Sequence, residues 1–210
     1  MTEWCTALQS PSNLFEGGRI MIPRWLAVLV VAFLVAPVFA QDAEKKDHKV
    51  LGAKKCKICH NTDKQAGTHF KAWEESAHAK AFQTLLTDKA KESAKKHGIE
   101  DPSKDERCLA CHTTKGSPTP EEGVSCETCH GAAEGYLNLH KKEGYEASVK
   151  AGMADLKSKK PEEIAATCME CHKADPLNDF HKEFKYDEFW AKIDHTKNTS
   201  PAILEKREKK

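Results

Sequence analysis

Four copies of one five-residue pattern, C-x-x-C-H, contain eight of the nine cysteines in this chain. The pattern is typical of covalent haem attachment, in which two thiols form thioethers with the haem vinyl groups and the histidine binds the iron. The predicted attachment residues are Cys56, Cys59, Cys108, Cys111, Cys126, Cys129, Cys168 and Cys171. The predicted proximal iron ligands are His60, His112, His130 and His172.

Two other kinds of site also use C-x-x-C. Zinc ribbons pair such motifs and thioredoxin-like proteins use one as a redox centre, but neither requires a histidine directly after the second cysteine. A histidine follows in all four copies here. We therefore predict four covalently bound haem c groups as the cofactors, and a multihaem c-type cytochrome as the class of protein.

The second axial ligand of each iron decides what a haem can do, because each motif fills only one axial position. Beyond residue 40 the sequence offers seven further histidines and only two methionines. A thioether raises the haem potential whereas a second imidazole does not, so this supply favours low-potential haems with bis-histidine ligation. His78 and His140 are the strongest candidates because each lies beside the apolar face of a predicted helix. His48 lies in a polar leading segment.

Residues 21–40 have the pattern of a secretory signal peptide. Arg24 precedes an apolar run over residues 25–35, and residues 38–40 form a small-residue cleavage site. The apolar run is shorter than the roughly 20 residues that span a bilayer. We therefore expect export to the periplasm, a mature chain that begins at Gln41, and contact with a membrane only if the signal stays uncleaved.

The other boundaries follow from composition. Residues 1–20, which contain the unpaired Cys5, lack signal-peptide character, so we expect translation to begin at Met21. The expected segments after the signal are a flexible, lysine-rich lead (41–55), a tetrahaem cytochrome domain (56–196) and a charged, frayed tail (197–210).

Apolar periodicity predicts a mainly α fold with much irregular structure, since no segment shows the alternation of a strand. Expected helices cover residues 69–86, a segment that Ser103 and Glu106 begin as a capping box, residues 136–150, and residues 187–194. Aromatic residues make up only 7% of the chain and charged residues 31%, so the haems must supply much of the apolar interior. The formal net charge of +1 gives no indication of nucleic-acid binding, and surface lysines suit steering of a redox partner.

Three stretches carry a family resemblance. The run WEESAHAKA over residues 73–81, Gly123-Val124-Ser125 with Gly131 around the third motif, and FKYDE over residues 184–188 resemble the tetrahaem cytochrome c-554 family of ammonia-oxidising bacteria. The likeness extends from about Lys54 to His195. It implies a compact helical shell around four haems in stacked pairs, and distal ligands at His78, His140 and His195. It also implies a five-coordinate second haem, the one on Cys108, Cys111 and His112.

Several departures from the family pattern leave alternatives open. The run from Glu188 to His195 is about two residues shorter, so either the helix breaks near Asp194 or His181 takes the role of ligand. The connection from His172 to Phe184 and the loop between the second and third motifs are also shorter. The pocket over the second haem is then either more open or filled differently, with His69, His97 and His181 as the candidates.

Three functions fit these residues. The first is a periplasmic carrier that moves electrons between redox proteins. By the resemblance, the donor is a multihaem oxidoreductase such as hydroxylamine oxidoreductase, and the acceptor a quinone or a cytochrome. The second is reduction of a small nitrogen compound, nitric oxide or hydroxylamine, at a five-coordinate second haem. The third is electron storage without a dedicated partner. The sequence indicates no catalytic side chain for the second function.

Overall fold

The structure, a computed structural model, describes residues 47–208. Every described residue belongs to one compact unit. The predicted upstream start, Cys5, the signal peptide and the beginning of the lead therefore lie outside the described residues. Within residues 47–208, no helix is both long enough and apolar enough to cross a membrane.

Short α-helices joined by turns and loops make up the described unit. In chain order they are α1 (Lys54–His60), α2 (His69–Glu75), α3 (Ala81–Leu85), α4 (Asp88–Lys96), α5 (Glu106–His112), α6 (Cys126–His130), α7 (Leu139–Lys142), α8 (Tyr145–Lys150), α9 (Pro161–Cys168), α10 (Tyr186–Ile193) and α11 (Pro201–Glu208). Two 3₁₀ turns cover Pro120–Glu122 and Thr196–Asn198. Extended pairing in this part of the chain is limited to isolated bridges, from Thr62 to Gly67 and from Gly67 to Thr199. The prediction of a mainly helical fold is confirmed.

Each C-x-x-C-H motif lies on a helix or at a helix end. Helices α1, α5 and α6 each end on the histidine of a motif, whereas α9 ends on Cys168 and the rest of the fourth motif forms the following turn. Residues three apart on a helix share one face, so both cysteines of a motif point to the same side. The helix therefore places both thiols of a motif on the side from which they could bind one haem.

The apolar core that the described side chains form among themselves is small. Its buried members are Ala53, Phe70, Leu85, Ala94, Ile99, Ala133 and Tyr136. Three of the seven are alanines, which bury little area, and burial of apolar area is the main favourable contribution to folding. This supports the expectation that haem supplies much of the interior.

The predicted helix over residues 69–86 is interrupted. Helix α2 stops at Ser76, whose ψ of 165° is extended, and α3 begins at Ala81. His78 therefore lies in the turn between two helices rather than on a helix face.

Contacts with the segment before the third motif hold this turn. The backbone N–H of Val124 donates to the His78 carbonyl oxygen at 3.0 Å, and the Trp73 indole donates to the Val124 carbonyl oxygen at 2.8 Å. Gly123 has a φ of +71°, and a Cβ at this position would collide with the His78 carbonyl oxygen. Tertiary hydrogen bonds thus replace the helical ones that periodicity alone predicted.

Three further helix predictions differ from the structure at their boundaries. Helix α5 is capped by Asp105, which accepts from the Arg107 N–H, rather than by a Ser103 capping box. The helix predicted over residues 136–150 is divided into α7 and α8, and Gly144 lies between them. Helix α10 begins one residue earlier than predicted and is not the last, since α11 follows it.

The described part of the predicted flexible lead is held in place by backbone hydrogen bonds. The N–H groups of Leu51 and Gly52 donate to the carboxylate of Glu127, and that of Ala53 donates to Glu122 at 2.7 Å. Composition predicted flexibility because the lead is mostly polar and rich in lysine. Its backbone donors attach it to the rest of the unit, and its Ala53 side chain is buried there.

The start of the predicted frayed tail is likewise attached. The Thr68 N–H donates to the Asn198 carbonyl oxygen at 2.9 Å, and the Ser200 N–H donates to the Ala66 carbonyl oxygen at 3.1 Å. Ser200 is fully buried. Residues 198–200 therefore belong to the folded unit and close over the segment that follows the first motif.

Candidate haem-binding sites

Three motif histidines each face a second imidazole across nearly the same gap. The distances between ring centroids are 6.1 Å for His60 and His140, 6.0 Å for His130 and His195, and 6.1 Å for His172 and His78. Each of the three distal candidates thus lies opposite a different motif histidine, in a pairing that the sequence left open.

This gap has the size that an iron between the rings requires. An imidazole nitrogen binds a transition metal at about 2 Å and lies roughly 1.1 Å from its ring centre, so two opposed ligands have centroids about 6 Å apart. Rings in direct contact lie closer. The Nδ1 atoms of His60 and His69 are 3.2 Å apart, and their ring centroids are 5.0 Å apart. The three wider pairs therefore fit bis-histidine ligation of haem iron.

Hydrogen bonds at Nδ1 orient several of these rings. The acceptors are backbone carbonyl oxygens, at 2.8 Å for His112, 2.9 Å for His195 and 3.4 Å for His140. A carbonyl oxygen only accepts, so the ring proton lies on Nδ1 and the Nε2 lone pair is left for a metal.

Burial lowers the pKa of four of the candidate ligands. Burial, and then the neighbouring His195 and His60, lowers the pKa of His130 to about 4. Burial also lowers the pKa of His60, His78 and His172. Iron binds the unprotonated imidazole, so these environments favour the form that a ligand needs.

His195 reaches His130 because helix α10 ends at Ile193. The next residue, Asp194, has a ψ of 112°, which turns the chain away from the helix direction. The shortened segment left two alternatives, a helix that breaks near Asp194 or His181 as the ligand. In the structure the helix breaks at Asp194. His181 instead lies beside the fourth motif, in a cavity of about 210 Å³ that Cys171 and His172 also line.

Thiols of different motifs lie close together. Interaction with the Cys126 thiol together with burial raises the pKa of Cys56, while the interaction with Cys56 lowers the pKa of Cys126. Burial and the neighbouring Cys111 raise the pKa of Cys171 to about 12. The first motif therefore adjoins the third, and the second adjoins the fourth.

An electrostatic interaction links these two pairs of motifs. Burial raises the pKa of Cys129, and the charge of the Cys168 thiolate raises it further. The third motif is therefore near the fourth. Together these interactions between thiols indicate the order first, third, fourth, second for the motifs.

The second motif lacks the ring pairing of the other three. The Nδ1 of His112 is 2.8 Å from the Ala81 carbonyl oxygen and 3.1 Å from Thr84 Oγ1. Within residues 47–208, no histidine ring is paired with that of His112 as in the other three motifs. Two of the histidines expected as candidates to fill the pocket over the second haem have partners elsewhere. His69 contacts His60, and the Nε2 of His97 is 3.0 Å from Asp179 Oδ1.

Glu127 is a structural residue of the site that sequence reasoning missed. It lies between the two cysteines of the third motif, yet only 4% of its surface is exposed. Its carboxylate accepts hydrogen bonds from the N–H groups of Leu51, Gly52 and Ala133 at 2.7 to 2.9 Å. A carboxylate at a variable motif position predicts a solvated side chain, so no sequence signal pointed to this role.

Asp179 attaches the segment after the fourth motif to helix α4. Its carboxylate accepts from Ser93 Oγ at 2.8 Å and lies 3.0 Å from His97 Nε2, with Lys96 Nζ at 3.9 Å. The hydrogen bonds from His97 and Ser93 lower the pKa of Asp179 below its usual value. This carboxylate and the Phe180 ring, which lies under Lys89 Nζ at 4.5 Å, both attach the segment that carries His181 to helix α4.

We expect the substitution Asp179→Asn to destabilise the protein at neutral pH and to have little effect in strong acid. Because the folded-state pKa of Asp179 is depressed, its stabilising contribution is present above the unfolded pKa and is lost as the pH falls through the folded pKa. Urea unfolding of both proteins at pH 6 and near pH 2 measures this. If the free energies of unfolding of the wild type and Asp179→Asn differed by the same amount at both pH values, the charged carboxylate would not have this role.

Comparison with known proteins agrees with the motif pattern. Residues 55–131, which hold the first three motifs, match the family described as cytochrome c554 and c-prime. Cytochrome c-554 of Nitrosomonas europaea is 33% identical over an alignment of 138 residues, and the match covers 58% of this chain and 56% of that protein. The chain thus spans a little over half the length of this relative. No solved structure matches the chain.

Proposed function

The chain belongs to the cytochrome c-554 family, and from that premise we propose that it is a periplasmic tetrahaem electron carrier. Family membership implies a c-type cytochrome with covalently bound haem c. Bound haem would supply an iron centre that accepts and releases one electron. The number of haems, their ligation, the location and the partners are part of the proposal.

Four haems follow from four complete attachment motifs. The two cysteines of each motif form the thioethers, and the motif histidine binds the iron as proximal ligand. The distal ligands are His140 for the first haem, His195 for the third and His78 for the fourth. The observation that carries this assignment is the ring spacing of 6.0 to 6.1 Å in three separate histidine pairs.

The contacts between motifs support a continuous path for electrons. The first and third haems form one close pair and the second and fourth form another, since their attachment thiols adjoin. The third and fourth motifs join the pairs through Cys129 and Cys168. Electrons then enter or leave at the first and second haems, which are the two ends of the row.

The partners are proposed to be redox proteins. A multihaem oxidoreductase such as hydroxylamine oxidoreductase is the proposed donor, and a quinone-linked protein or a cytochrome is the proposed acceptor. The formal charge of +1 and the 31% of charged residues give a mixed surface, on which local patches can steer a partner.

Reduction of a small nitrogen compound at the second haem is the alternative function. The observation that favours it is the absence, within residues 47–208, of a ring paired with His112. A haem with one protein ligand keeps a position that nitric oxide or hydroxylamine can occupy, whereas two imidazoles close both positions. Both functions can exist in one protein.

The first experiment is mass spectrometry of the purified protein, followed by the EPR spectrum of its ferric form. We expect a mass increase for four haems, low-spin signals from three of them, and one high-spin signal that nitric oxide alters. Four low-spin haems would contradict the open second haem and leave only electron transfer. A protein without four haems would contradict the carrier proposal itself.

A further inference from the structure

His69 forms a hydrogen bond at each of its ring nitrogens. Its Nδ1 lies 3.2 Å from the Nδ1 of His60, the proximal ligand of the first haem. Its Nε2 lies 3.1 Å from the Oγ1 of Thr199. A histidine outside the motifs thus connects an iron ligand to the C-terminal segment, in a position that no ligand assignment uses.

The hydrogen bond of Thr199 determines where the protons lie. Its hydroxyl donates to the Thr196 carbonyl oxygen at 2.8 Å, so its proton is not available to His69. The His69 Nε2 must then carry a proton and donate to Thr199, because a hydroxyl oxygen accepts as well as donates. A neutral imidazole with its proton on Nε2 has a lone pair on Nδ1. His60 therefore donates its Nδ1–H to His69.

This acceptor differs from those of the other candidate ligands. His112, His140 and His195 direct Nδ1 at backbone carbonyl oxygens, whereas His60 directs it at an imidazole nitrogen. An imidazole nitrogen is a stronger base than an amide oxygen and withdraws more of the shared proton. The ring that donates becomes a stronger electron donor to its metal, which stabilises the oxidised iron.

The surrounding backbone holds His69 in this position. Gly67 forms an isolated bridge with Thr199 and has a φ of +126°, and a Cβ there would collide with the Asn198 carbonyl oxygen and with the His69 ring. The Asn198 amide also donates to Thr68 Oγ1 at 3.1 Å. The segment 196–200 is therefore fixed against residues 67–69.

We propose that His69 is a positioning residue for the first haem, which sets the tautomer and ring plane of His60 and keeps the haem potential lower than a carbonyl acceptor would. The inference rests on the proposed function in one respect, namely that His60 and His140 ligate an iron. It adds a means of setting the potential at one end of the proposed electron path.

The test compares two substitutions in the haem-loaded protein, His69→Leu and His69→Asn. Leucine cannot accept a hydrogen bond, whereas the Oδ1 of asparagine can take the place of Nδ1. We expect His69→Leu to shift the redox equilibrium of one haem about tenfold toward the reduced form, a rise of about 59 mV. The low-spin EPR signal of that haem should change with it. His69→Asn, whose amide oxygen accepts the hydrogen bond less strongly than an imidazole nitrogen, should give a potential between those of the wild type and the leucine variant.

The substitution His97→Leu is the matched control, since His97 is bonded to Asp179 and lies away from the ring pairs. It should leave the potential of the first haem unchanged. Unchanged potentials in His69→Leu would overturn the proposal, and so would equal shifts in the leucine and asparagine variants, because equal shifts indicate altered packing alone.

A second pair of variants covers the case in which His69→Leu does not fold. Thr199→Val removes the acceptor for His69 Nε2 and should raise the same potential by a smaller amount, whereas Thr199→Ser should restore it. No difference between valine and serine would overturn the proposal. Failure of the proposed function is distinguishable, since the wild-type protein would then lack four haems or the low-spin bis-histidine signals before any variant is compared.

Discussion

Replacing His195 by glycine is expected to convert one haem of the ferric protein from low-spin to high-spin. The His195 ring lies 6.0 Å from that of His130, centroid to centroid, and its Nδ1 donates to the Ile193 carbonyl oxygen, which leaves the Nε2 lone pair available to a metal. Removing the imidazole leaves the third haem with one protein ligand. EPR and visible absorption of His195→Gly measure the change, and added imidazole should reverse it by filling the vacated position.

The substitution His181→Gly is the matched control for this prediction. His181 was the alternative ligand, but it lines the cavity beside His172 rather than facing His130. We expect its spectrum to remain that of the wild type. If His181→Gly became high-spin and His195→Gly did not, the assignment of the third haem would be wrong and the ligand role would pass to His181.

The substitution Glu127→Ala is expected to lower the free energy of unfolding by about 3 kcal/mol or more. It removes the acceptor of three backbone N–H groups in a largely buried site, and each buried group left unpaired costs about 1–3 kcal/mol. Part of this cost is relieved because the lead can move toward water. Urea unfolding of the haem-loaded protein, monitored by far-ultraviolet circular dichroism, measures the change.

Glu134 offers the control for Glu127. It too accepts a hydrogen bond from the lead, from the Lys49 N–H at 3.0 Å, but its position is exposed. We expect Glu134→Ala to cost less than about 1 kcal/mol, because water replaces the lost acceptor. Equal losses in the two variants would show that attachment of the lead, and not burial of the carboxylate, sets the cost.

Much of the chemistry was predictable because the signal is local. The two cysteines and the histidine of each motif lie within one or two helical turns, so their type and spacing alone indicate haem attachment. The same locality made the helical class predictable, since amphipathic periodicity needs no tertiary information. The aromatic content of 7% already predicted a small apolar core, because few large side chains are available to fill one.

Predictions that depended on contacts distant in sequence were less accurate. The helix over residues 69–86 was broken by hydrogen bonds from Trp73 and Val124, which periodicity cannot register. The lead was predicted to be flexible because it is polar, yet Glu127 binds its backbone. In each case a hydrogen bond between separate segments outweighed a local preference.

The sequence by itself predicted haem attachment, the cysteines that would form the thioethers and the histidines that would be proximal ligands. The tertiary structure alone decided which imidazole faces which, with His140 opposite His60, His78 opposite His172 and His195 opposite His130. Each such pair joins distant segments of the chain, so its geometry depends on how short helices pack rather than on any local pattern. The role of His69 follows for the same reason, because a hydrogen bond from His60 exists only once residues 67–69 and 196–200 have come together.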